Sequence, residues 1–264
     1  MPVFKQDRSE IKVTMKTYDK LIKFITFNLG DVVQITGNES TATSLITRMM
    51  NKKYIVRIRK DLYTCIDLST GDTIANKYQI ATAINDKAYV SHHSAFEFYG
   101  LVNQVYNIMY VSSEKQFNEF EFNGITYKHI NSVVEEGVVK HKNTNGIRVT
   151  DIERTFVDSA NLITKIGGIE ELIKITEAID YMDAKKILFY LNLYNKKVLY
   201  QKVGYLIENY YKGESFDKEF FSICLKNAGN SVRYLTSNNE GIFNAKWNLV
   251  IPNELLMGEF NEYI

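Results

Sequence analysis

"ESTATSLITRMMNKKYIVRIRKDLYTCI" (Glu39–Ile66) decides how this chain is read. Its first half has helical spacing. Ser40 is placed to cap the helix, and Ala42, Leu45, Ile46, Met49 and Met50 form an inward stripe. The other face carries Thr41, Thr43, Ser44, Thr47, Arg48 and Asn51. The period then changes from 3.6 to 2. Tyr54, Val56 and Ile58 alternate with Ile55, Arg57 and Arg59, and "RKD" (Arg59–Asp61) supplies a charged turn, which reads as a β-hairpin.

Upstream, "YDKLIKFITFNLG" (Tyr18–Gly30) places Leu21, Ile22, Phe24, Ile25 and Leu29 at helical spacing, with Gly30 to end the helix. "DVVQITG" (Asp31–Gly37) fits a second, short helix. Helix, short helix, polar-faced helix and basic hairpin is the order of a winged helix-turn-helix. There the third helix enters the major groove, where Thr41, Thr43, Ser44, Thr47 and Arg48 can reach base edges with Lys52 beside them. Arg57, Arg59 and Lys60 of the wing would meet phosphate or the minor groove. The same order also suits a small protein-binding domain. Residues 1–15 alternate in charge, carry few large apolar side chains, and read as a mobile arm.

Charge supports the nucleic-acid reading. Residues 1–66 hold 12 Lys/Arg against 6 Asp/Glu, a net of +6, while the remainder holds 20 against 25, a net of −5. A basic head on an acidic body suggests nucleic acid at one end. With 264 residues, the chain has length for one or two domains with a sizeable core. The division expected is a winged head with its arm at 1–70 and a mixed α/β domain with a helical C-terminal part at 71–264, an α+β protein overall. No long apolar run and no leader pattern occur, and the two lone cysteines, Cys65 and Cys224, suit a reducing cytoplasm. The "NES" at Asn38 is read as a chance match to a glycosylation acceptor.

The body is legible in outline. Thr73–Asn85 reads as a helix, "AYVS" as a short strand, and "HHSAFEFYG" as a helix closed by Gly100. "NIMYVSS" is a buried-type strand. Asn123-Gly124 and Asn145-Gly146 each mark a hairpin. Thr150-x-x-Glu153 reads as a capping box. Helices follow at 168–180, 183–194, 197–211 and 216–228, then a terminal strand pair.

No catalyst is evident. His92 and His93 are adjacent, so on a helix they point about 100° apart and cannot share a metal. Glu10-Ile11-Lys12 is the only Glu-x-Lys and lies in the basic arm, the wrong context for a nuclease. Ser94 lacks the nucleophile-elbow glycines. "KIGGI" (Lys165–Ile169) is a helix-to-helix turn rather than a phosphate loop. Arg154 and Asp158, four apart on one helix, read as an ion pair. The expectation is a protein that is not an enzyme, with no cofactor or metal and no membrane contact.

Three stretches together resemble the AbiEi family, the antitoxin half of bacterial AbiE abortive-infection toxin–antitoxin pairs. They are "YIVRIRKDLYT", where the family closes a basic run on Gly-Leu-Tyr; "YVSHHSAFEFYGL"; and "GIRVTDIERTFVD". The resemblance spans roughly residues 18–211. It implies a repressor that binds inverted repeats of double-stranded operator DNA in its own promoter, self-associating there. It also implies a second domain that counters a nucleotidyltransferase-like toxin. Asp61 stands where the family has Gly, and the tail beyond about 212 is not covered. Two alternatives stay open: an antitoxin that holds its toxin by direct contact, and a DNA-binding regulator unrelated to a toxin.

Overall fold

A computed structural model describes residues 8–102, 104, 106–132, 134–237 and 240–256. The fold is mixed α/β with three sheets. The chain begins with α1 (Arg8–Leu21), β1 (Thr26–Phe27), α2 (Leu29–Thr36), α3 (Glu39–Asn51), β2 (Ile55–Arg59) and β3 (Leu62–Cys65). The three strands form an antiparallel sheet in the order β1-β3-β2. Tyr18, Leu21, Phe27, Val32, Leu45, Met49 and Ile55 are among the side chains of its core.

Three local expectations change here. The expected mobile arm is helical from Arg8 onward, and its first seven residues lie outside the described ones. Thr14 and Thr17 join Tyr18 and Leu21 in burial, so the inward stripe of α1 is partly threonine and escapes an apolar count. The single helix expected over Tyr18–Gly30 is interrupted. Thr26 and Phe27 pair with Thr64 and Tyr63, and Asn28 with Asp31 forms a reciprocal capping box that opens α2. The cap of α3 is Asn38, whose Oδ1 accepts from the Thr41 N–H at 3.0 Å, rather than Ser40.

Next come α4 (Lys77–Ala83), β4 (Tyr89–Val90), α5 (His92–Phe98), β5 (Ile108–Ser113), β6 (Phe120–Phe122), β7 (Ile125–Asn131), β8 (Val138–Lys140) and β9 (Arg148–Thr150). The second sheet has the order β6-β7-β5-β4-β9-β8. The Asn123-Gly124 hairpin is present. Both residues have positive φ, 50° and 74°, and Phe122 faces Ile125 across the turn. Around Asn145-Gly146 a 3-10 turn over Lys142–Thr144 lengthens the connection between β8 and β9. The expected Thr73–Asn85 helix is shorter because Asn76 and Gln79 form its capping box.

The rest is α6 (Ile152–Asn161), α7 (Ile169–Ala178), α8 (Ala184–Tyr194), α9 (Lys197–Tyr210), α10 (Lys218–Asn227), β10 (Arg233–Tyr234), β11 (Ile242–Asn244), β12 (Leu249–Ile251) and α11 (Asn253–Leu256). The terminal sheet has three strands, with β10 parallel and β11 antiparallel to β12. Trp247, Leu249 and Ile251 share a core with Phe156, Leu172, Leu191, Leu206 and Phe220. The α6 cap lies one residue from the expected box. Asp151 accepts from the Arg154 N–H at 2.8 Å, while Thr150 pairs its hydroxyl with Thr155 at 2.7 Å.

The described chain forms two compact units. One draws on residues up to Val90, 107–135 and 140–148; the other on 91–106, 136–139 and from 149 onward. Within the first unit, Asn123 donates to the Thr73 hydroxyl and Gln79 to the Thr144 carbonyl. Among the described residues no helix is long and apolar enough to cross a membrane.

Candidate functional site

The residues expected to meet DNA divide into three groups. Thr41, Thr43, Ser44 and Thr47 are exposed on α3, as the helical spacing requires when Ala42, Leu45, Ile46 and Met49 are buried. Thr47 donates its hydroxyl to the Thr43 carbonyl at 3.0 Å, which fixes its orientation. A groove of about 380 Å³ lies between α3 and the β2–β3 hairpin. Its lining includes Thr43 and Thr47 of α3, Arg57, Lys60 and Tyr63 of the hairpin, and Leu29 of α2. Arg57 is held in place: its Nη2 donates to the Tyr63 hydroxyl at 3.1 Å, and its guanidinium lies 5.4 Å from the centre of that ring. Thr41 and Ser44 lie on α3 outside the groove lining.

Arg48 and Lys52 form the second group. Both are half-buried rather than fully exposed. Arg48 borders the apolar stripe between Leu45 and Met49, and Lys52 is the C-cap residue of α3, its N–H bonded to the Arg48 carbonyl at 3.1 Å.

Arg59 departs furthest from expectation. Simple alternation puts it on the same face as Arg57. The ladder shifts register between these two residues, with Arg57 opposite Tyr63 and Arg59 opposite Leu62. Such a bulge re-aims the side chain that follows it. The Arg59 guanidinium lies 5.7 Å from the Phe117 ring centre and 5.2 Å from that of Phe120, and Nη1 is buried without an acceptor among the described residues. A guanidinium over two rings is a packing element. Arg59→Ala is therefore expected to lower stability by about 1–2 kcal/mol in urea denaturation. It should leave the salt dependence of any DNA binding unchanged, whereas a slope reduced by about one would return Arg59 to the phosphate contacts.

Asp61 completes the hairpin. Its φ of 55° lies in the left-handed region, and its carboxylate accepts from the Leu29 N–H at 2.9 Å. One side chain thus closes the β2–β3 turn and satisfies a backbone donor in the first turn of α2. Sequence reading identified Asp61 as turn-compatible and missed this second role, as it missed Tyr63 and Leu29 in the groove. Nothing short of the hairpin register places those residues.

The tandem histidines lie elsewhere, in the second unit, and both are buried. His92 Nδ1 is 2.9 Å from the Ser91 hydroxyl, and His93 packs on Tyr106 with ring centres 4.2 Å apart. Among the described residues, no group of three His, Cys, Asp or Glu is placed to hold a metal. Burial pushes the His92 imidazole down from its ordinary 6.5 to about 4, with Arg154 and Lys165 adding to the effect and Asp158 opposing it. Between those values the unfolded chain takes up a proton that the folded chain refuses. Stability should therefore fall as pH drops from 6.5 towards 4, by up to about 3 kcal/mol from this group. His92 has φ 53°, which Asn also tolerates. His92→Asn should remove that part of the acid destabilisation. Wild-type and variant stability curves that stay parallel over this window would refute it.

No family model matches the chain, and no curated protein matches it. Among solved structures it is similar to the crystal structure of the RV2827C protein from Mycobacterium tuberculosis, at 13% sequence identity. That likeness covers 90% of this chain and 89% of the other, with a TM-score of 0.65. At this identity the likeness is one of fold: the chain has a mixed α/β architecture shared across nearly its whole length with the mycobacterial protein.

Proposed function

We propose that the chain is a DNA-binding transcriptional regulator of the AbiEi antitoxin kind, with residues up to about 70 acting as a winged helix-turn-helix. The observation that carries this reading is the groove that brings Thr43 and Thr47 of α3 together with Arg57 and Lys60 of the hairpin. The element order from α1 to β3, the sheet order β1-β3-β2 and the +6 charge of residues 1–66 support it. In this reading α3 lies in the major groove. Its short hydroxyl side chains reach base edges, Arg57 and Lys60 meet the backbone, and Arg59 stays with its aromatic pair. The antitoxin role rests on the resemblance of the three sequence stretches. It assigns the rest of the chain to countering a toxin, with repression of its own operon.

The test is fluorescence anisotropy of the full chain on duplex DNA from its own promoter and on random duplex, across a salt series. Lys60→Gln should weaken both duplexes alike and reduce the salt slope by about one. Thr43→Ala combined with Thr47→Ala should cost about 1–3 kcal/mol on promoter DNA and little on random DNA. If all three substitutions leave promoter affinity unchanged, α3 and its hairpin do not read DNA.

A further inference from the structure

We propose that a basic cleft of the second unit binds a small phosphomonoester that also carries hydroxyl or amine donors, of the nucleoside monophosphate or sugar phosphate class. The cleft has a volume of about 740 Å³, within the range of small-molecule sites. Lys197 of α9, Lys226 at the end of α10 and Arg233 of β10 line it, and among the described residues no acidic one does. Among the described residues, none of these three cations has an ion-pair partner.

The start of α9 sharpens the case. Helix N-termini favour negative charge. Here the cap residue is Lys196, the first helical residue is Lys197, there is no acid in the first turn, and no side chain caps the backbone. Cations at that end oppose the helix dipole, and a bound anion would reverse the sign of the interaction.

Gln201 points to the rest of the ligand. It lines the same cleft and is 1% exposed. Its Nε2, with two hydrogens to share, lies within hydrogen-bond distance of the carbonyls of Gly229, Ser231, Trp247 and Asn248, at 3.2, 3.3, 2.9 and 3.3 Å, which fixes the amide orientation. Oε1 then faces the Gly229 side, 3.8 Å from where a Gly229 Cβ would stand, with no donor among the described residues. A buried acceptor left unmet costs about 1–3 kcal/mol. The phosphoryl group of a phosphomonoester dianion carries no proton and cannot donate to it, whereas a ribose or sugar hydroxyl or an exocyclic amine can. Three cations for the phosphoryl oxygens and one acceptor for a donor define the ligand class.

Isothermal titration calorimetry of the full chain at low salt tests this. The probes are AMP, UMP, glucose 6-phosphate, methyl phosphate, whose dianion has no donor, and adenosine. At least one of the first three should saturate a single site, with methyl phosphate roughly tenfold weaker or more and adenosine silent. Lys226→Gln combined with Arg233→Gln should weaken that binding by roughly tenfold or more while the melting temperature holds, both residues being exposed. Three results each overturn the proposal. They are no saturation by AMP, UMP or glucose 6-phosphate at millimolar concentration, methyl phosphate binding as tightly as these, or unchanged affinity in the double variant. A double variant that loses promoter DNA affinity without having bound any phosphomonoester would make the cleft a backbone contact, and that also overturns it.

Discussion

Arg154→Ala is expected to remove about 3–5 kcal/mol of folding stability, measured by urea denaturation. Arg154 is fully buried in α6, and every part of its guanidinium is engaged. Nε donates to Asp158 Oδ1 at 2.8 Å, Nη1 to the Glu136 carbonyl at 2.7 Å, and Nη2 to the Tyr194 hydroxyl at 2.8 Å. Tyr194 in turn donates to Asp158. Removing the arginine strands the Asp158 carboxylate in a site where it is 4% exposed. The penalty therefore comes mainly from the charge left behind, since a buried pair itself contributes little net stability. Arg154→Met together with Asp158→Leu should accordingly be less destabilised than Arg154→Ala alone. A loss under about 1 kcal/mol for Arg154→Ala would mean that water reaches Asp158 and the network is not buried in solution.

The second large effect is expected at Trp247, the largest fully buried side chain among the described residues. Trp247→Ala should cost about 3–5 kcal/mol. The indole lies on α9 where Gly204 leaves space: a Cβ there would stand 2.2 Å from Trp247 Cη2. Its Nε1 donates to Glu208 at 2.8 Å. Gly204→Ala sets two effects against each other. Alanine gains about 1 kcal/mol of helix propensity, and overpacking against a rigid ring costs about 1–3. With no flexible atom to yield, the loss should win in the wild type. In the Trp247→Ala background the ring is gone, so Gly204→Ala should become neutral or stabilising. Additive stabilities across this cycle would show that the two residues do not meet.

The second half of the fold was the more legible from sequence. The four helices from α7 to α10 follow from apolar periodicity with Gly and Asn punctuation, and their burial agrees with it, whereas the expected terminal strand pair is three strands, because Ile242–Asn244 and Leu249–Ile251 turn back on each other within one stretch. The Asn123-Gly124 turn was readable because only a few residue types accept positive φ at both positions. The head was readable in order and less so in detail. The exposed face of α3 follows from spacing, and Thr43 and Thr47 lie on it. The two-residue β1 is too short to leave a period, and the cap at Asn38 competed with Ser40 two residues on. Arg59 was misplaced because a bulge is a register event, invisible to alternation. The Arg154–Asp158 pair was visible as i,i+4 spacing, yet its burial depends on Glu136 and Tyr194, which no local pattern links to it.

The first unit is assembled from pieces that leave the ribosome at different times. The β2–β3 hairpin emerges with Arg59, but Phe117 and Phe120, which receive its guanidinium, are still to be translated. At ~5–20 residues per second the delay is roughly 3–12 s, long compared with the microseconds in which a hairpin forms. The strand β5, which pairs with β4, also arrives after its partner. The nascent first unit must therefore wait with an unpaired strand edge and an unsheltered arginine, a state that invites holding by a chaperone. Slow codons between positions 66 and 107 would prolong that wait, and those after 148 would not.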